Sequence, residues 1–263
     1  MIDYHIHTNI SADCLTDMRN MAEAALRMGL KEICFTEHLD LEFPGDIDFS
    51  IDFDKYDRKL NEIKQDYPDL NIRKGIEVGL DMQTKEKLSQ LLPGLFLDYV
   101  IGSVHIVLGH DPYEKEIWEK YDQQQIYSAY LRVSVECAKA CDFYDVFGHL
   151  GYISKFCPHS DKLLRYCDYQ DAIDTILKIL IQKGKGLEVN TNGLYMTPST
   201  MPETPIIRRF FELGGELITI GSDAHYETVV GYSIKETLKT LKKIGFKYVC
   251  AFDKRQPRFI PIP

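Results

Sequence analysis

The sequence contains no long apolar run, no excess of basic residues and no regular cysteine framework. No segment approaches the roughly eighteen consecutive apolar residues that a membrane-spanning helix requires. The seven cysteines are odd in number and irregularly spaced, which argues against a set of structural disulfides. A formal net charge of -9 argues against the basic surface that is typical of general nucleic-acid binding. We therefore expect neither a membrane nor a nucleic acid as a stable partner.

The chain also lacks a recognisable secretion signal and any linker-like segment. Residues 1–5 have neither the basic nor the apolar region of a signal peptide, so we expect a cytoplasmic protein. No stretch rich in proline, glycine or serine divides the 263 residues, and 44% of them are hydrophobic. That is enough apolar material for one large core, so we expect a single domain over residues 1–263.

What the sequence does contain is a regular alternation of short β-rich apolar runs and longer amphipathic stretches. The predicted strands are Ile2–His5, Glu32–Phe35, Ile72–Val78, Tyr99–Val104, Asp145–Gly148, Gly186–Val189, Leu217–Ile220 and Tyr248–Phe252. The predicted helices are Asp17–Met28 (with Thr16 as its N-cap), Phe53–Gln65, Lys85–Leu92, Gln124–Cys141, Gln170–Gln182, Ile206–Leu213 and Ile234–Ile244. This alternation predicts a parallel sheet with helices outside it. A (βα) barrel fits best. An open doubly wound sheet is the alternative, although the glycine-rich dinucleotide turn is missing after the first strand.

Histidines and carboxylates lie at the ends of several predicted strands. His5 and His7 close the first one, and the alternation of side chains along a strand places their rings on the same side. In a (βα) barrel the C-terminal ends of all strands meet at one rim. Histidine and carboxylate ligands suit Zn²⁺, Fe²⁺ or Mn²⁺, so the sequence predicts a metal site at this rim. The candidate ligands at strand ends are His5, His7, His38, Glu77, His105, His149, Asp223 and His225.

Three acidic residues near this rim, Asp13, Glu37 and Glu77, can be interpreted in more than one way or are expected to play a different role. Glu77 taken alone is also compatible with a helix cap or a lysine partner. Asp13 is a further candidate ligand, but it also fits an ordinary turn after the first strand. Glu37 adjoins the candidate ligand His38, and we expect it to orient a ligand ring without binding the metal itself.

Six short motifs carry these candidates, in order, from residue 1 to about residue 225. They are His5-Ile6-His7-Thr8 with Ser11 and Asp13, Thr36-Glu37-His38, Gly75-Ile76-Glu77, Gly102-Ser103-Val104-His105, Gly148-His149-Leu150 and Gly221-Ser222-Asp223-Ala224-His225. The series resembles the polymerase and histidinol phosphatase (PHP) superfamily. The segments Asp98–His105 and Gly186–Thr191 are most similar to the stand-alone histidinol-phosphate phosphatases.

The resemblance implies a distorted, TIM-like (βα)7 barrel that holds three divalent metal ions, which would be zinc, iron or manganese. The ligands that it implies, by position in the motifs, are His5, His7, Glu77 and Asp223 for one ion; Glu77, His105 and His149 for a second; and Asp13, His38 and His225 for the third. Glu77 would bridge the first two ions. This set leaves coordination positions open for hydroxide and substrate.

The same resemblance implies a phosphomonoesterase of histidine biosynthesis. A hydroxide that bridges two ions would attack the phosphorus of a small phosphate ester, and the ions would neutralise the charge on the phosphate oxygens. Glu77, Asp223 and His225 are the residues expected to carry catalysis through the ions that they hold. The favoured substrate is L-histidinol phosphate, which would be hydrolysed to L-histidinol and phosphate.

The substrate-binding residues depart from the pattern of the family. Tyr195 stands where an arginine for the phosphate is expected, and Gly151 where an acidic residue is expected. Lys155 lies in the loop that would carry a basic residue, so we predict that it binds phosphate; a solvated surface lysine is the alternative. Another PHP phosphoesterase, acting on a nucleotide or a different small phosphate, therefore stays open. So do an amidohydrolase-type barrel hydrolase and a non-catalytic metal-binding module.

Overall fold

Seven parallel strands alternate with helices, and each strand pairs with the next one in the chain. The computed structural model describes residues 1–263. The strands of this sheet are β1 (Ile2–Ile6), β2 (Glu32–Leu39), β3 (Asn71–Gly79), β4 (Tyr99–Ser103), β5 (Val146–Phe147), β6 (Gly186–Asn190) and β7 (Ile218–Gly221). The helices are α1 (Met18–Arg27), α2 (Phe53–Asp66), α3 (Lys85–Leu91), α4 (Lys115–Lys120), α5 (Gln123–Ala140), α6 (Gln170–Gln182), α7 (Gly193–Met196), α8 (Thr204–Glu212) and α9 (Ile234–Ile244). The predicted alternation and the parallel sheet are confirmed.

The sheet closes on itself between β1 and β7. The backbone amide of His7 donates to the carbonyl oxygen of Ala224 over 3.0 Å, just beyond the ends of both strands. The side chain of Asp3 in β1 accepts hydrogen bonds from the backbone amides of Ser222 at 2.8 Å and Gly231 at 2.9 Å. A buried carboxylate thus replaces part of the backbone ladder at this seam. The distorted (βα)7 barrel is confirmed, and the open sheet is excluded.

The strands are buried on both faces, as expected for a parallel sheet that helices cover. Every residue of β1, β4 and β6 is buried. The register between β2 and β3 places His38 beside Glu77. Two candidate ligands therefore become neighbours through the pairing of their strands.

The eighth predicted strand forms, but it lies outside the barrel. β8 (Tyr248–Asp253) pairs in antiparallel register with β9 (Gln256–Pro261), a strand that the sequence analysis does not predict. This hairpin packs on the N-terminal end of the barrel, where the ring of Phe252 lies 4.9 Å from that of Tyr99. The backbone amide of Phe252 also donates to the hydroxyl of Tyr4. No residue of β9 is fully buried, and it contains two prolines, which explains why its sequence gives little strand signal.

The helices differ from the prediction mainly at their ends. The N-cap of α1 is Asp17 and not Thr16, because the Asp17 side chain accepts the hydrogen bond from the backbone amide of Arg19 at 3.0 Å. The hydroxyl of Thr16 instead donates to the carbonyl oxygen of His225, a contact across the barrel seam. The short helices α4 and α7 are additions to the prediction. None of the helices has the length and apolar composition needed to span a bilayer.

Candidate metal centre

The nine candidate ligands come together at the C-terminal rim of the barrel. His5 lies in β1, His38 in β2 and Glu77 in β3, and the others lie in the segments that follow β1, β4, β5 and β7. Asp13 and His225 are the most accessible, with side chains 32% and 19% exposed. The other seven side chains are at most 11% exposed. We call this set the metal centre: His5, His7, Asp13, His38, Glu77, His105, His149, Asp223 and His225.

Four donor atoms form the deepest group of the metal centre. Nε2 of His5 lies 3.0 Å from Nε2 of His7 and 3.0 Å from Oε2 of Glu77. Oδ1 of Asp223 lies 3.6 Å from Nε2 of His5 and 3.3 Å from Nε2 of His7. A tetrahedral ion with bonds of about 2.0 Å has ligand atoms about 3.3 Å apart. The four atoms are therefore spaced as the ligands of one such ion.

The hydrogen bonds of His5 determine which of its nitrogens faces this group. Its Nδ1 lies 2.5 Å from Oε1 of Glu188, and because an ionised carboxylate can only accept, Nδ1 carries a hydrogen. Nε2 therefore faces Glu77 and Asp223. Two imidazole nitrogens and two carboxylates converge there with no lysine or arginine nitrogen between them. Protons or a metal ion must balance the negative charge of such a group. Two imidazole nitrogens and two carboxylates are a donor set that suits a divalent metal ion.

Glu77 connects this group to a second pair of histidines. Its other oxygen, Oε1, lies 2.7 Å from Nε2 of His149 and 3.3 Å from Nε2 of His105, and it accepts a hydrogen bond from the hydroxyl of Ser103. Nδ1 of His105 lies 2.6 Å from Oδ1 of Asp40, so a carboxylate orients this ring as well. Because its two oxygens face different histidines, the carboxylate of Glu77 has the geometry of a bridge between two ions.

A third group of ligands lies toward the solvent. Oδ2 of Asp13 is 3.1 Å from Nε2 of His225 and 3.5 Å from Nε2 of His38. The ring of His7 stacks on both of these histidines, with centroids 4.2 Å from His38 and 4.3 Å from His225. Nδ1 of His38 also lies 3.3 Å from Oε2 of Glu77. The nine side chains therefore form one connected cluster, and His38 links its outer group to Glu77.

Opposite charges within the cluster shift the pKa values strongly. Burial alone raises the pKa of Glu77, but His5 and His38 outweigh burial and hold that pKa well below its usual range. Burial lowers the pKa of His38, yet Glu77 and Asp13 outweigh it and raise this pKa to about 9. The pKa of His7 is lowered by burial and by the neighbouring histidines. Without metal ions the cluster thus keeps protons on several rings, and divalent cations would replace those protons.

Two glycines allow the close packing behind the ligands. A Cβ atom on Gly79 would lie 2.2 Å from Oδ1 of Asp40, the atom that contacts His105. A Cβ atom on Gly221 would lie 2.3 Å from Cβ of His5. Both distances are far below van der Waals contact, so a side chain at either position would displace a residue of the site.

Comparison with known proteins shows which family this chain belongs to. The PHP domain family matches residues 3–192, the stretch that carries seven of the nine candidate ligands. The chain belongs to the PHP domain family. Its curated relatives include a probable histidinol-phosphatase of Clostridium acetobutylicum, 31% identical over 98% of this chain and 99% of the relative. Another is the histidinol-phosphatase of Lactococcus lactis subsp. lactis, 32% identical over 96% of this chain and 94% of the relative.

A solved structure shares the whole fold of this PHP protein. It is the histidinol phosphate phosphatase of Lactococcus lactis subsp. lactis, crystallised with zinc, L-histidinol and phosphate. The TM-score is 0.92 at 31% sequence identity, and the match covers 98% of each chain. The predicted resemblance to the PHP superfamily, and to its histidinol phosphatases in particular, is therefore confirmed.

Lys155 of this PHP protein points toward the metal centre. Its Nζ lies 3.9 Å from Oδ2 of Asp223, and its side chain is only 17% exposed. Its Nζ also lies 5.9 Å from the centroid of the Tyr152 ring. Lys155 is therefore largely buried beside Asp223, and its role in phosphate binding stays a prediction. Tyr195, by contrast, is 64% exposed and packs edge-on against Tyr232.

Two carboxylates that contact candidate ligands of the metal centre were not predicted from the sequence. Asp40 comes directly after β2 and follows His38 by two residues, so the alternation of an extended chain places both on the same side, a signal that the sequence contains. Glu188 lies between two apolar residues of β6, where a buried charge has to be paired. Its Oε2 accepts a hydrogen bond from the backbone amide of His149 at 2.7 Å.

Glu37 acts less directly than the sequence analysis predicts. Its carboxylate contacts no ligand ring and accepts hydrogen bonds from the amide and hydroxyl of Thr8 and from the hydroxyl of Ser11. Ser11 in turn lies 3.4 Å from Nδ1 of His7 and accepts a hydrogen bond from the amide of His38. Glu37 therefore acts on His7 indirectly, through Ser11 and the neighbouring Thr8.

Proposed function

We propose that the protein is a metal-dependent phosphoric monoester hydrolase whose substrate is L-histidinol phosphate. The observation that carries the proposal is the carboxylate of Glu77, whose two oxygens face separate sets of histidines. Clusters of ions bridged in this way are used to hydrolyse phosphate esters. Similarity over nearly the full length to histidinol-phosphatases, one of them crystallised with zinc, L-histidinol and phosphate, supports this substrate.

We infer that the three groups of ligands hold three divalent ions. The residues that would hold them are His5, His7, Glu77 and Asp223 for the first; Glu77, His105 and His149 for the second; and Asp13, His38 and His225 for the third. Bound divalent ions supply Lewis-acid stabilisation of the phosphate oxygens and lower the pKa of water. Zinc is favoured by the crystallised relative, while iron and manganese suit the same donors.

Lys155 would supply the protein's own positive charge for the phosphate. Its Nζ approaches the oxygen of Asp223 that points away from His5 and His7. A lysine is a point charge without the planar fork of arginine, so it attracts a phosphate without fixing its orientation. The backbone of Asp223 lies in the left-handed region, with a φ of 52°, and such conformations are concentrated at functional sites.

A phosphoesterase acting on a nucleotide or another small phosphate is the second candidate. It is favoured by Tyr195, which supplies no charge-assisted hydrogen bond at the position where the family pattern has an arginine. The amidohydrolase-type alternative has less support, because the position between the two ion sites belongs to Glu77 and not to a lysine. The complete set of nine ligands argues against a non-catalytic module.

Metal analysis combined with a phosphatase panel tests the proposal. The purified protein should carry more than one equivalent of zinc, iron or manganese, and it should release phosphate from L-histidinol phosphate faster than from phenyl phosphate or a nucleoside monophosphate. Chelation should abolish the activity, and added metal should restore it. Full activity in metal-free protein would contradict the mechanism. Hydrolysis of the nucleotide but not of histidinol phosphate would show that the proposed substrate is wrong. The proposed role of the metal ions would be unaffected.

A further inference from the structure

The segment between β7 and α9 contributes two candidate ligands to the metal centre, Asp223 and His225. The side chain of Asp3 holds both ends of this segment, because it accepts hydrogen bonds from the amides of Ser222 at 2.8 Å and Gly231 at 2.9 Å. His225 lies between these two points, and its side chain is 19% exposed. Its position therefore depends on contacts that the middle of the segment makes.

Two side chains from the segment after β1 converge on the backbone carbonyl oxygen of His225. The thiol of Cys14 and the hydroxyl of Thr16 each donate a hydrogen bond to this oxygen, both over 3.1 Å. A carbonyl oxygen has two lone pairs, so it can accept both. Cys14 is 3% exposed, whereas Leu15 between the two donors is 92% exposed. The segment thus turns its hydrogen-bond donors inward and its largest apolar side chain outward, the reverse of what burial of apolar surface favours.

The two donors lie on a loop that its own backbone closes. The amide of Asn9 donates to the carbonyl oxygen of Thr16 over 2.9 Å, so residues 9–16 form a closed loop. The same loop carries the candidate ligand Asp13. A hydrogen bond from this loop to His225 therefore holds one candidate ligand relative to another.

The ring of His225 is held in a defined direction as well. Its Nδ1 lies 3.1 Å from the carbonyl oxygen of Asp223, and because a carbonyl oxygen only accepts, Nδ1 carries a hydrogen. Nε2 of the ring lies 3.1 Å from Oδ2 of Asp13. This distance is close to the separation of about 3.3 Å between the ligand atoms of a tetrahedral ion. With its carbonyl held by Cys14 and Thr16, His225 directs Nε2 toward Asp13.

We propose that Cys14 and Thr16 are positioning residues for the outer group of ligands, which consists of Asp13, His38 and His225. By holding the carbonyl of His225 they keep its ring at binding distance from Asp13, in the most exposed part of the metal centre. Both act through the backbone of His225 and not as ligands. The inference rests on the proposed function, because it requires the outer group to hold an ion.

Removal of the two donors tests the inference. Thr16→Val nearly keeps the shape of the side chain without the hydroxyl, and Cys14→Ala removes the thiol. Serine restores a donor, so Cys14→Ala/Thr16→Val is compared with Cys14→Ser/Thr16→Val. Cys250→Ala is the matched control, since Cys250 is a buried cysteine of β8, at the N-terminal end of the barrel. Titration against a competing chelator measures the affinity and stoichiometry of zinc, and the unfolding temperature is measured on metal-free protein.

We expect Cys14→Ala/Thr16→Val to weaken the binding of one zinc equivalent about 10- to 100-fold and to leave the other equivalents unchanged. Thr16→Val alone should weaken the same equivalent about fivefold. Cys14→Ser/Thr16→Val should bind zinc as Thr16→Val does, and Cys250→Ala as the parent protein does. General destabilisation would instead lower the unfolding temperature and weaken all equivalents together.

Equal zinc affinities in the parent protein, in Thr16→Val and in Cys14→Ala/Thr16→Val would overturn the inference, and so would a uniform loss of all equivalents. Thr16→Val alone decides the question if the double variant does not fold. If the parent protein hydrolyses histidinol phosphate although the inference fails, the proposed function still stands. If one equivalent is lost selectively while the parent protein shows no hydrolysis, the positioning inference stands and the proposed reaction is wrong.

Discussion

Nδ1 of His5 donates a hydrogen bond to Oε1 of Glu188 over 2.5 Å, and both side chains are buried. The contact joins residues 183 positions apart in the chain and orients a ligand of the deepest group. The other carboxylate oxygen of Glu188 accepts a hydrogen bond from the amide of His149. One carboxylate therefore positions ligands of two proposed ion sites, which makes Glu188 the most informative residue outside the ligand set.

Glu188→Gln is expected to lower the zinc affinity about 10- to 100-fold. The side-chain amide of glutamine has one acceptor oxygen, so its NH2 group would face either Nδ1–H of His5 or the amide of His149, donor against donor. Zinc titration against a competing chelator measures the affinity, and circular dichroism checks the fold. Glu216, an exposed residue just before β7 and therefore at the opposite end of the barrel, provides the control variant Glu216→Gln. Equal zinc affinity in Glu188→Gln and the parent protein would contradict the positioning role.

Glu77→Gln should reduce phosphatase activity more than His38→Asn does. Glu77 offers one oxygen to each of two histidine groups, whereas His38 is assigned to one ion. Its loss should also reduce the bound metal by more than one equivalent, which elemental analysis of the purified variants would measure. A smaller loss of activity in Glu77→Gln, with the fold intact, would show that the bridge is structural only.

Zinc binding should release protons and strengthen as the pH rises. Burial lowers the pKa of His5, His38 and His105, but nearby carboxylates outweigh it; they raise the pKa of His38 to about 9 and those of the other two well above the usual value. At neutral pH these rings are protonated in the metal-free protein, so binding should release about three protons per chain. Calorimetry in buffers of different ionisation enthalpy counts them.

The same pKa shifts set the pH dependence of the metal-free protein. Histidines with raised pKa values stabilise the folded state fully below their unfolded pKa of about 6.5, and this contribution is lost as the pH rises. For His38 the loss should be complete above about pH 9. Urea unfolding of metal-free protein across this window should show falling stability while the zinc affinity rises. A zinc affinity that does not change with pH would contradict both expectations.

Lys155→Ala should raise the KM for a phosphomonoester more than it lowers kcat. The ammonium group of Lys155 reaches toward the site beside Asp223, so its loss mainly removes ground-state attraction for the phosphate. Steady-state kinetics with L-histidinol phosphate measures both parameters, and Lys235→Ala on the exposed face of α9 is the control. If neither parameter changes, the phosphate is held by the ions alone.

Tyr195→Arg should lower the KM for L-histidinol phosphate. Tyr195 is 64% exposed and packs only edge-on against Tyr232, so the substitution should cost little stability. Arginine would add the charge-assisted, planar contact that lysine cannot make. The KM of Tyr195→Arg is compared with that of Tyr195→Lys, which adds the charge without the fork. An unchanged KM in both would show that α7 does not direct this side chain to the phosphate.

The sequence by itself determined the parallel sheet with helices outside it and the positions of the candidate ligands along the chain. Apolar runs alternate with amphipathic stretches, and the parallel sheet that follows from this alternation brings all strand C-termini to one rim. His5, His38, Glu77 and His105 were therefore predictable as neighbours from their places at strand ends. Local periodicity carries this information because the period of a strand or helix determines which residues share a face.

Only the tertiary structure decided how these side chains meet. The two oxygens of Glu77 face different histidines, Glu188 of β6 orients His5 of β1, and Lys155 points inward. The tertiary structure also decided where β8 lies. Its strand pattern does not specify whether it joins the barrel or pairs with β9. Side-chain rotamers and contacts between segments distant in the chain depend on packing in three dimensions, which the period of a local sequence pattern does not encode.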